Sequence, residues 1–425
     1  MNCFTGIDLG STTTKAVILD EAGAILGRGI TNSRSNYDLA ARVAREEAFI
    51  TARFGLLRQR VEAAAGAVVL DRLLKAFRLS QTLAQLHRTR ELIEQEVERS
   101  VADHLRRPTL DVVESIFVTM EEEEEAWFAA ENPPPRSDFF RDAAGSAYMR
   151  LAEERADPDS VTFDLLLGLY DKCIIQVENE PLELGFRHHI GAALDRIGNS
   201  PIVREAVESA TETPLDEVST VGTGYGRARL PFPKEQIRSE ILCHGLGAHI
   251  LFPATRTVLD IGGQDTKAIQ VDSSGIVTSF QMNDRCAAGC GRYLGYIADE
   301  MNIGLHELGP LAQKSTRSVR INSTCTVFAG AELRERMSLG EKREDILNGL
   351  HRAIMLRAMS LLARSGGVNN EFTFTGGVAR NPAAVAALTE LCEENYGRRT
   401  LNISPDSIYT GALGAAHFAL RETCS

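Results

Sequence analysis

Short strand-like runs open the chain, and long helical stretches follow them. Residues 4–30 have the pattern of a β-hairpin: a strand that ends at Asp8, a glycine turn, a second strand over Lys15–Leu19 and a turn at Asp20–Gly23. A second hairpin of the same pattern is predicted over residues 257–280. A shift of 252 positions aligns seven identical residues of the two hairpins: Asp8/Asp260, Gly10/Gly262, Thr14/Thr266, Lys15/Lys267, Ala16/Ala268, Asp20/Asp272 and Gly23/Gly275. We interpret this repeat as a duplicated lobe.

Helical periodicity dominates the region between the two copies. Residues 38–106 contain no proline, and apolar residues recur there at helical spacing, as at Leu70, Leu73, Leu74 and Phe77. More helix is predicted on both sides of a proline triplet at 133–135. We therefore predict a helical insertion over residues 38–181. Docking of a partner protein is our first hypothesis for its role, and a purely structural role is the alternative.

The remaining sequence completes two lobes. We expect residues 1–37 and 182–253 to form the first lobe and residues 254–425 to form the second. A strand is predicted to run into a glycine turn at 222–226, and another into Gly376 and Gly377.

Composition and charge limit the function. The chain has 44% hydrophobic and 24% charged residues, as ordinary globular proteins do. Its net charge of −12 argues against nucleic acid or an anionic membrane as the main partner. The eight cysteines are scattered without paired CxxC spacing, which favours a reducing cytoplasm over a disulfide framework. We see no signal-peptide pattern and no run of 18 apolar residues, so we expect a cytoplasmic protein without a membrane partner.

Both hairpin copies follow an acidic strand end with glycine and small polar residues. The first copy supplies Asp8, Gly10, Ser11, Thr12 and Thr13, and the second supplies Asp260, Gly262, Gly263, Gln264 and Asp265. Glycine lets the backbone approach an anion, and the N–H groups of such turns cradle phosphate oxygens. The aspartates Asp8 and Asp260 would hold Mg²⁺, directly or through its waters. Two matched loops therefore predict a nucleotide site, and the absence of a GxxxxGK[ST] motif excludes a P-loop.

Two further segments, residues 283–291 and 322–329, each place a cysteine just before a helical pattern. The N–H groups at a helix start favour negative charge, so they suit a thiolate bound to an anionic cluster. Cys286 and Cys325 are the candidate ligands, and a second chain would have to supply the other two thiolates of a [4Fe–4S] cluster. The alternative is two buried, inert thiols. Cys290 fits either a further ligand or a packed thiol.

Three motifs resemble those of the acetokinase/sugar kinase/Hsp70/actin superfamily. Asp8–Lys15, Asp260–Lys267 and Thr375–Gly377 are similar to its phosphate-1, phosphate-2 and adenosine motifs. The resemblance implies an α/β fold of two duplicated ribonuclease-H-like lobes that close on Mg-ATP, with the helical insertion in the first lobe. The residues it assigns to ATP binding are Gly10, Ser11, Thr12, Thr13, Lys15, Gly262, Gly263, Gln264, Gly376, Gly377 and Asn381.

A narrower resemblance is to the BadF/BadG/BcrA/BcrD ATPase family, carried by residues 258–267, 283–289 and 325–329. Its members are the ATPase subunits of benzoyl-CoA reductase and the activators of 2-hydroxyacyl-CoA dehydratases. The resemblance implies that Cys286 and Cys325 hold half of a [4Fe–4S] cluster shared with a homologous ATPase subunit. Because the activators are much shorter chains, the long insertion resembles the larger ATPase subunit of benzoyl-CoA reductase.

The implied function is therefore an ATP-driven transfer of low-potential electrons from ferredoxin to acyl-CoA-binding reductase subunits. The alternatives are a dehydratase activator, a small-molecule kinase that needs no iron, and a chaperone- or filament-like ATPase. Gln264 and Asp265 are candidates for orienting the hydrolytic water, by analogy with other NTPases. The pairs His188-His189 and Cys243-His244 have no further ligands at zinc-like spacing, so no metal site is predicted there.

Overall fold

The chain folds into two compact units. In this computed structural model a main unit comprises Met1–Ala48 and Leu215–Ser425, and a helical unit comprises Phe49–Pro214. The structure describes residues 1–33, 36–134, 136–137, 139–179, 186–198, 200–224, 230–283, 290–317, 319–321 and 326–423. Cys286 and Cys325 therefore lie outside the described residues, whereas Cys290 lies within them.

The main unit contains two sheets of closely similar topology. The first has the order β3-β2-β1-β4, with strands β1 (Asn2–Leu9), β2 (Thr13–Leu19), β3 (Ile25–Asn32) and β4 (Asp216–Gly224). The second has the order β7-β6-β5-β8-β9, with strands β5 (Thr257–Ile261), β6 (Thr266–Val271), β7 (Val277–Asn283), β8 (Phe372–Thr375) and β9 (Leu401–Asn402). In each sheet an antiparallel three-stranded meander is joined by a parallel strand beside its first strand. The repeat seen in the sequence is thus a repeat of structure.

The helical unit is built from long helices around two apolar cores. Its helices are the greater part of α1 (Tyr37–Ala65), then α2 (Ala67–Ser100), α3 (Asp103–Ala129), α4 (Phe140–Arg155), α5 (Phe163–Asn179), α6 (Phe186–Ile197) and α7 (Pro201–Glu212). One core joins α1, α2, α6 and α7 around Phe77, and the other joins α2 to α5 around Tyr148. Because α6 and α7 pack into the first core, the compact unit extends to Pro214. The insertion boundaries at 38 and 181 remain a prediction from the sequence.

The helices of the main unit cover the sheets and join their cores. They are α8 (Glu240–Leu251), α9 (Gly291–Met301), α10 (Leu308–Ala312), α11 (Thr326–Ser338), α12 (Arg343–Ser365), α13 (Pro382–Tyr396) and α14 (Thr410–Thr423). Helix α14 packs on the first sheet, and α9, α12 and α13 pack with the second. Helix α8 belongs to both cores, because Cys243 packs with α14 while Ile241 and Ala248 pack on the second sheet. Among the described residues, no helix is both long and apolar enough to cross a membrane.

Candidate active site

The two predicted phosphate loops lie against each other in the main unit. The strand registers are equivalent, with Asp8 opposite Lys15 in the first hairpin and Asp260 opposite Lys267 in the second. A Cβ atom added to Gly263 would lie 1.9 Å from the Oγ1 atom of Thr12. Only a residue without a side chain allows this approach, so the glycine is needed for the second loop to reach the first.

Each lobe has a further glycine turn, which follows the strand that runs parallel to the first strand of its hairpin. Gly376 follows β8 with a φ of 86°, and a Cβ there would lie 2.3 Å from the carbonyl oxygen of Ile261. Gly224 follows β4 with a φ of 129° and would meet the carbonyl oxygen of Leu9 at 2.2 Å. Both positive φ values favour glycine over any residue with a side chain. The adenosine turn predicted at Gly376 thus has a structural counterpart in the first lobe.

A buried ionic cluster lies behind the second phosphate loop. The ammonium of Lys267, which is 1% exposed, lies 2.9 Å from Glu240 Oε1, 2.9 Å from Asp265 Oδ2 and 3.3 Å from Asp260 Oδ2. Thr375 donates a hydrogen bond of 2.9 Å to Asp260 Oδ1. Buried charges are tolerated when they are paired in this way. One ammonium therefore holds three carboxylates from α8, β5 and the turn that follows β5.

His244 connects this cluster to the first lobe. Its Nδ1 atom lies 3.2 Å from Asp260 Oδ1, without being aligned for a hydrogen bond, and its Nε2 atom lies 3.9 Å from Glu240 Oε1. Possible ligand atoms of Asp8, Glu240 and His244 all lie within 4.8 Å of one another. Asp8 approaches the ammonium of Lys15 at 3.8 Å through Oδ2, while its buried Oδ1 atom has no hydrogen-bond partner. The cluster thus has donor atoms suited to a cation.

Burial and charge shift the acidities of these groups in different directions. Desolvation raises the pKa of Asp8, and it also raises the pKa of Asp265. For Asp260 the desolvation is outweighed by His244 and Lys267, so its pKa is held far below the usual range. Desolvation opposes the charged form of Lys267, but Asp260, Glu240 and Asp265 raise its pKa well above the ordinary value. Asp260 is therefore a firmly ionised partner, whereas Asp8 carries the less stabilised charge.

The remaining predicted site residues lie in distinct environments. Gln264 is partly exposed at the tip of the second loop, whereas the carboxylate of Asp265 is engaged with Lys267. Asn381 caps helix α13 by accepting hydrogen bonds from the N–H groups of Ala383 and Ala384. Its amide nitrogen lies 2.9 Å from the Nε2 atom of His351. The roles assigned to Gln264, Asp265 and Asn381 in hydrolysis and ATP binding remain predictions.

The start of helix α9 is bonded directly to the second phosphate loop. The N–H of Gly291 donates to the carbonyl of Gly262, and the N–H of Arg292 donates to the carbonyl of Gly263, both at 2.8 Å. The preceding residue, Cys290, is a buried thiol. These bonds join the first residues of α9 to the loop, and the segment that contains Cys286 precedes this helix start in the sequence.

Helices α9 and α11 run side by side in the same direction. A Cβ on Gly330 would lie 2.5 Å from the hydroxyl of Tyr296, and Arg334 pairs with Glu300. Each contact joins residues 34 positions apart, four residues further along both helices, so the two N-termini lie at the same end. Cys325 immediately precedes α11, and the Cys286 segment precedes α9. In the sequence, each cysteine segment therefore precedes one of two helix starts that lie at the same end of the pair.

Sequence reasoning missed Glu240 and His244 as members of the site. Their spacing of four residues places both side chains on one face of α8. The spacing is visible in the sequence, but it does not have the zinc-like pattern of further ligands. Asp8 is more than 200 residues away and reaches the cluster only through the fold.

Comparisons with known proteins agree with this architecture. The (R)-2-hydroxyglutaryl-CoA dehydratase activating ATPase of Acidaminococcus fermentans is 39% identical over 251 residues, which are 59% of this chain and 93% of that protein. A benzoyl-CoA reductase subunit of Thauera aromatica is 33% identical over 202 residues, 48% of this chain and 70% of that protein.

Solved structures support the fold. The crystal structure of the Acidaminococcus fermentans (R)-2-hydroxyglutaryl-CoA dehydratase component A covers 100% of both chains with a TM-score of 0.54 and 24% identity. The predicted fold class, duplicated α/β lobes of the actin and sugar-kinase type, is confirmed. The family model of the BadF/BadG/BcrA/BcrD ATPases matches residues 5–419, and the chain therefore belongs to the BadF/BadG/BcrA/BcrD ATPase family.

Proposed function

We propose that this chain uses ATP hydrolysis to activate electrons for an acyl-CoA-processing partner. The observation that carries the proposal is the pair of backbone hydrogen bonds from Gly291 and Arg292 to the phosphate loop at Gly262 and Gly263. Rigid secondary structure with direct hydrogen bonds is a physical route for coupling between two sites. A loop that responds to the γ-phosphate would therefore change the position of the Cys286 segment.

The residues present fit a shared [4Fe–4S] cluster. The parallel α9 and α11 present two helix N-termini side by side, where backbone N–H groups favour an anionic, thiolate-bound group. Cys286 and Cys325 would hold the cluster, and a homologous ATPase subunit would supply the other two thiolates. When bound, such a cluster supplies one-electron transfer at low potential. The protein's part is to set the hydrogen bonds and exposure around it, which are levers on the potential.

A coupling between the nucleotide site and the cluster site is strong enough to shift the redox potential of the cluster. A one-electron shift of 59 mV corresponds to about a tenfold change in an equilibrium constant. Couplings between protein sites are typically about 1–3 kcal/mol, which is about 5- to 150-fold. One such coupling would therefore shift a cluster by about 40–130 mV. Two ATPase subunits acting on one cluster would add their contributions.

The electron acceptor has two candidate classes. The chain is more similar to the dehydratase activating ATPase, at 39% identity, than to the benzoyl-CoA reductase subunit, at 33%. This favours a 2-hydroxyacyl-CoA dehydratase as the partner over our first expectation of a benzoyl-CoA reductase. The helical unit does not separate the two classes, since the matches to the activating ATPase and to the reductase subunit cover 59% and 48% of this chain. Ferredoxin as the donor and the cytoplasm as the location belong to the same proposal.

Hydrolysis would use the partly exposed Gln264 to orient water, since Asp265 is held by Lys267. Lys15 and the backbone of both loops would hold the phosphates, and Mg²⁺ would supply positive charge that offsets the charge of the phosphates.

Anaerobic purification with iron analysis and EPR spectroscopy tests the electron-activating role. We expect an EPR signal after reduction that changes when Mg-ATP is added. The Cys286→Ser variant should lose iron and this signal, whereas Cys392→Ser, a buried cysteine of α13 in the second core, should retain both. A small-molecule kinase would instead be fully active without iron. A wild-type protein without iron, or with a signal that ignores ATP, would contradict the proposal.

The acceptor is tested by reconstitution. The reduced chain is mixed with Mg-ATP and either a 2-hydroxyacyl-CoA dehydratase or a benzoyl-CoA reductase catalytic component. We expect product from the dehydratase component, and product from the reductase component alone would reverse the assignment.

A further inference from the structure

The buried cluster of the main unit contains more negative than positive charge. Four carboxylates, those of Asp8, Glu240, Asp260 and Asp265, face two ammonium groups, those of Lys15 and Lys267. Of these groups Asp8, Asp260 and Lys267 are at most 3% exposed. Carboxyl groups in this cluster therefore outnumber ammonium groups by two. Buried charges in proteins are paired or coordinate metals.

Three donors of this cluster converge on one point. Ligand atoms of Asp8, Glu240 and His244 lie within 4.8 Å of one another. Asp8 is 3% exposed, and its Oδ1 atom has no hydrogen-bond partner. A buried carboxylate oxygen without a partner is costly unless a ligand satisfies it.

Glycine at position 411 leaves open the space beside two of these donors, the Nε2 atom of His244 and the Oδ2 atom of Asp8. A Cβ on Gly411 would lie 2.7 Å from the Nε2 atom of His244 and 3.0 Å from the Oδ2 atom of Asp8. Any side chain at this position would therefore press against both donors. The space is defined by residues of β1, α8 and α14 together.

The orientation of His244 is typical of a metal ligand. Its Nδ1 atom faces the carboxylate of Asp260 at 3.2 Å, so Nε2 is directed away from Asp260. In histidines that bind metals, a carboxylate commonly lies beside the second ring nitrogen. Asp260 is then a positioning residue for His244 and has no free oxygen for the cation, since Thr375 and Lys267 engage it.

We propose that Asp8, Glu240 and His244 bind a divalent cation directly, in the absence of nucleotide. Two carboxylates and one imidazole suit cations of the Mn²⁺ and Fe²⁺ class, which accept both oxygen and nitrogen ligands. This inference deepens the proposed function, because the cation would lie beside the first phosphate loop. It replaces Asp260 by Glu240 and His244 as the protein ligands.

Titration of the full-length, nucleotide-free protein with Mn²⁺, followed by EPR spectroscopy, tests the site. We expect one bound Mn²⁺ per chain, with ¹⁴N modulation in pulsed EPR from an imidazole ligand. His244→Gln should abolish the modulation and weaken binding by about 10- to 100-fold. Gly411→Ala should weaken binding comparably without removing a ligand. His249→Gln, on the same helix α8 but outside the cluster, is the matched control and should bind as the wild type does.

Each outcome decides the inference. Binding without ¹⁴N modulation in the wild-type protein, or no binding at all, overturns it even if the variants fail to fold. Equal affinity in folded His244→Gln and wild-type proteins also overturns it. Mg-ATP binding is measured in parallel. A protein that binds Mg-ATP but no Mn²⁺ on its own keeps the proposed function and loses this site. A protein that binds Mn²⁺ but shows no ATP-dependent redox signal keeps this site and loses the proposed function.

Discussion

Replacement of Lys267 by methionine is the most direct test of the buried ionic cluster. The methionine side chain is similar in length and apolar, so the variant removes the ammonium while it fills most of the space. Three carboxylates then lose a partner that lies 2.9–3.3 Å away in the wild-type protein. Removing one partner of a buried ion pair costs about 3–5 kcal/mol. Because one ammonium serves three carboxylates, we expect the upper end of that range for Lys267→Met at pH 8.

The penalty should depend on pH in a defined direction. In the wild-type protein Lys267 and His244 hold the pKa of Asp260 far below its unfolded value, so the stability that Asp260 contributes is fully present above about pH 4. In the variant, burial without the ammonium raises the pKa of the carboxylates above their unfolded values. The folded state then binds extra protons, and its stability falls as the pH rises from about 4 through the raised pKa. The difference from wild type should therefore be smaller at pH 5.5 than at pH 8, by about 1.4 kcal/mol for each unit by which a raised pKa exceeds 5.5.

Because the chain has two compact units, the stability must be measured in the main unit, which contains the cluster. The only tryptophan, Trp127, lies in the helical unit, so its fluorescence does not report on the cluster. Hydrogen exchange of the β5 and β6 amides in urea, measured at both pH values, follows the main unit. Lys314→Met, at an exposed lysine of the same unit, is the control and should change stability by less than about 0.5 kcal/mol. A Lys267→Met penalty below about 1 kcal/mol, or one that is equal at the two pH values, would refute the reasoning.

Two further substitutions test the loop contact and the helical unit. Gly263→Ala places a methyl group 1.9 Å from the Oγ1 atom of Thr12, and overpacking of about 1–3 kcal/mol should weaken Mg-ATP binding about 5- to 150-fold in calorimetry. Gly295→Ala, where a Cβ meets nothing within 4 Å, should bind as the wild type does, and equal affinity of both variants would contradict the contact. Phe77→Ala removes a fully buried ring that contacts two other phenylalanine rings, and should lower the unfolding free energy reported by Trp127 fluorescence by about 3–5 kcal/mol. A loss below about 1 kcal/mol would show that the helical unit does not depend on this core.

The strands and loops of the main unit were accessible from the sequence because they rest on local patterns. Asp8 and Asp260 each lie one residue before the end of a buried strand, and glycines follow at equal spacing, so the sequence repeat predicted both hairpins. The close approach of Gly263 to Thr12 follows from the same logic, since two duplicated lobes that share a ligand bring equivalent turns together. Periodicity likewise predicted that the insertion is helical.

Features that depend on contacts between distant parts of the chain could not be predicted from local sequence patterns. The second boundary of the compact helical unit depends on packing of α6 and α7 against α1 and α2, which no local signal reports. Asp260 and Asp265 belong to the same hairpin as Lys267, whereas its third partner, Glu240 on α8, is brought in only by the fold. The parallel course of α9 and α11 also appears only in three dimensions.

The duplicated aspartates show how equal sequence positions acquire different chemistry. Asp260 accepts a hydrogen bond from Thr375, and His244 and Lys267 lie within 3.3 Å, so its charge is fully compensated. Asp8 occupies the same strand position, yet within the described part of the chain its ion pair is with Lys15 at 3.8 Å, and its Oδ1 atom accepts no hydrogen bond. A ligand cation gains most from the carboxylate whose charge is least compensated, because that group loses the fewest existing contacts on binding. The asymmetry therefore favours the first lobe for cation binding and the second for holding His244, although the sequence treats the two aspartates alike.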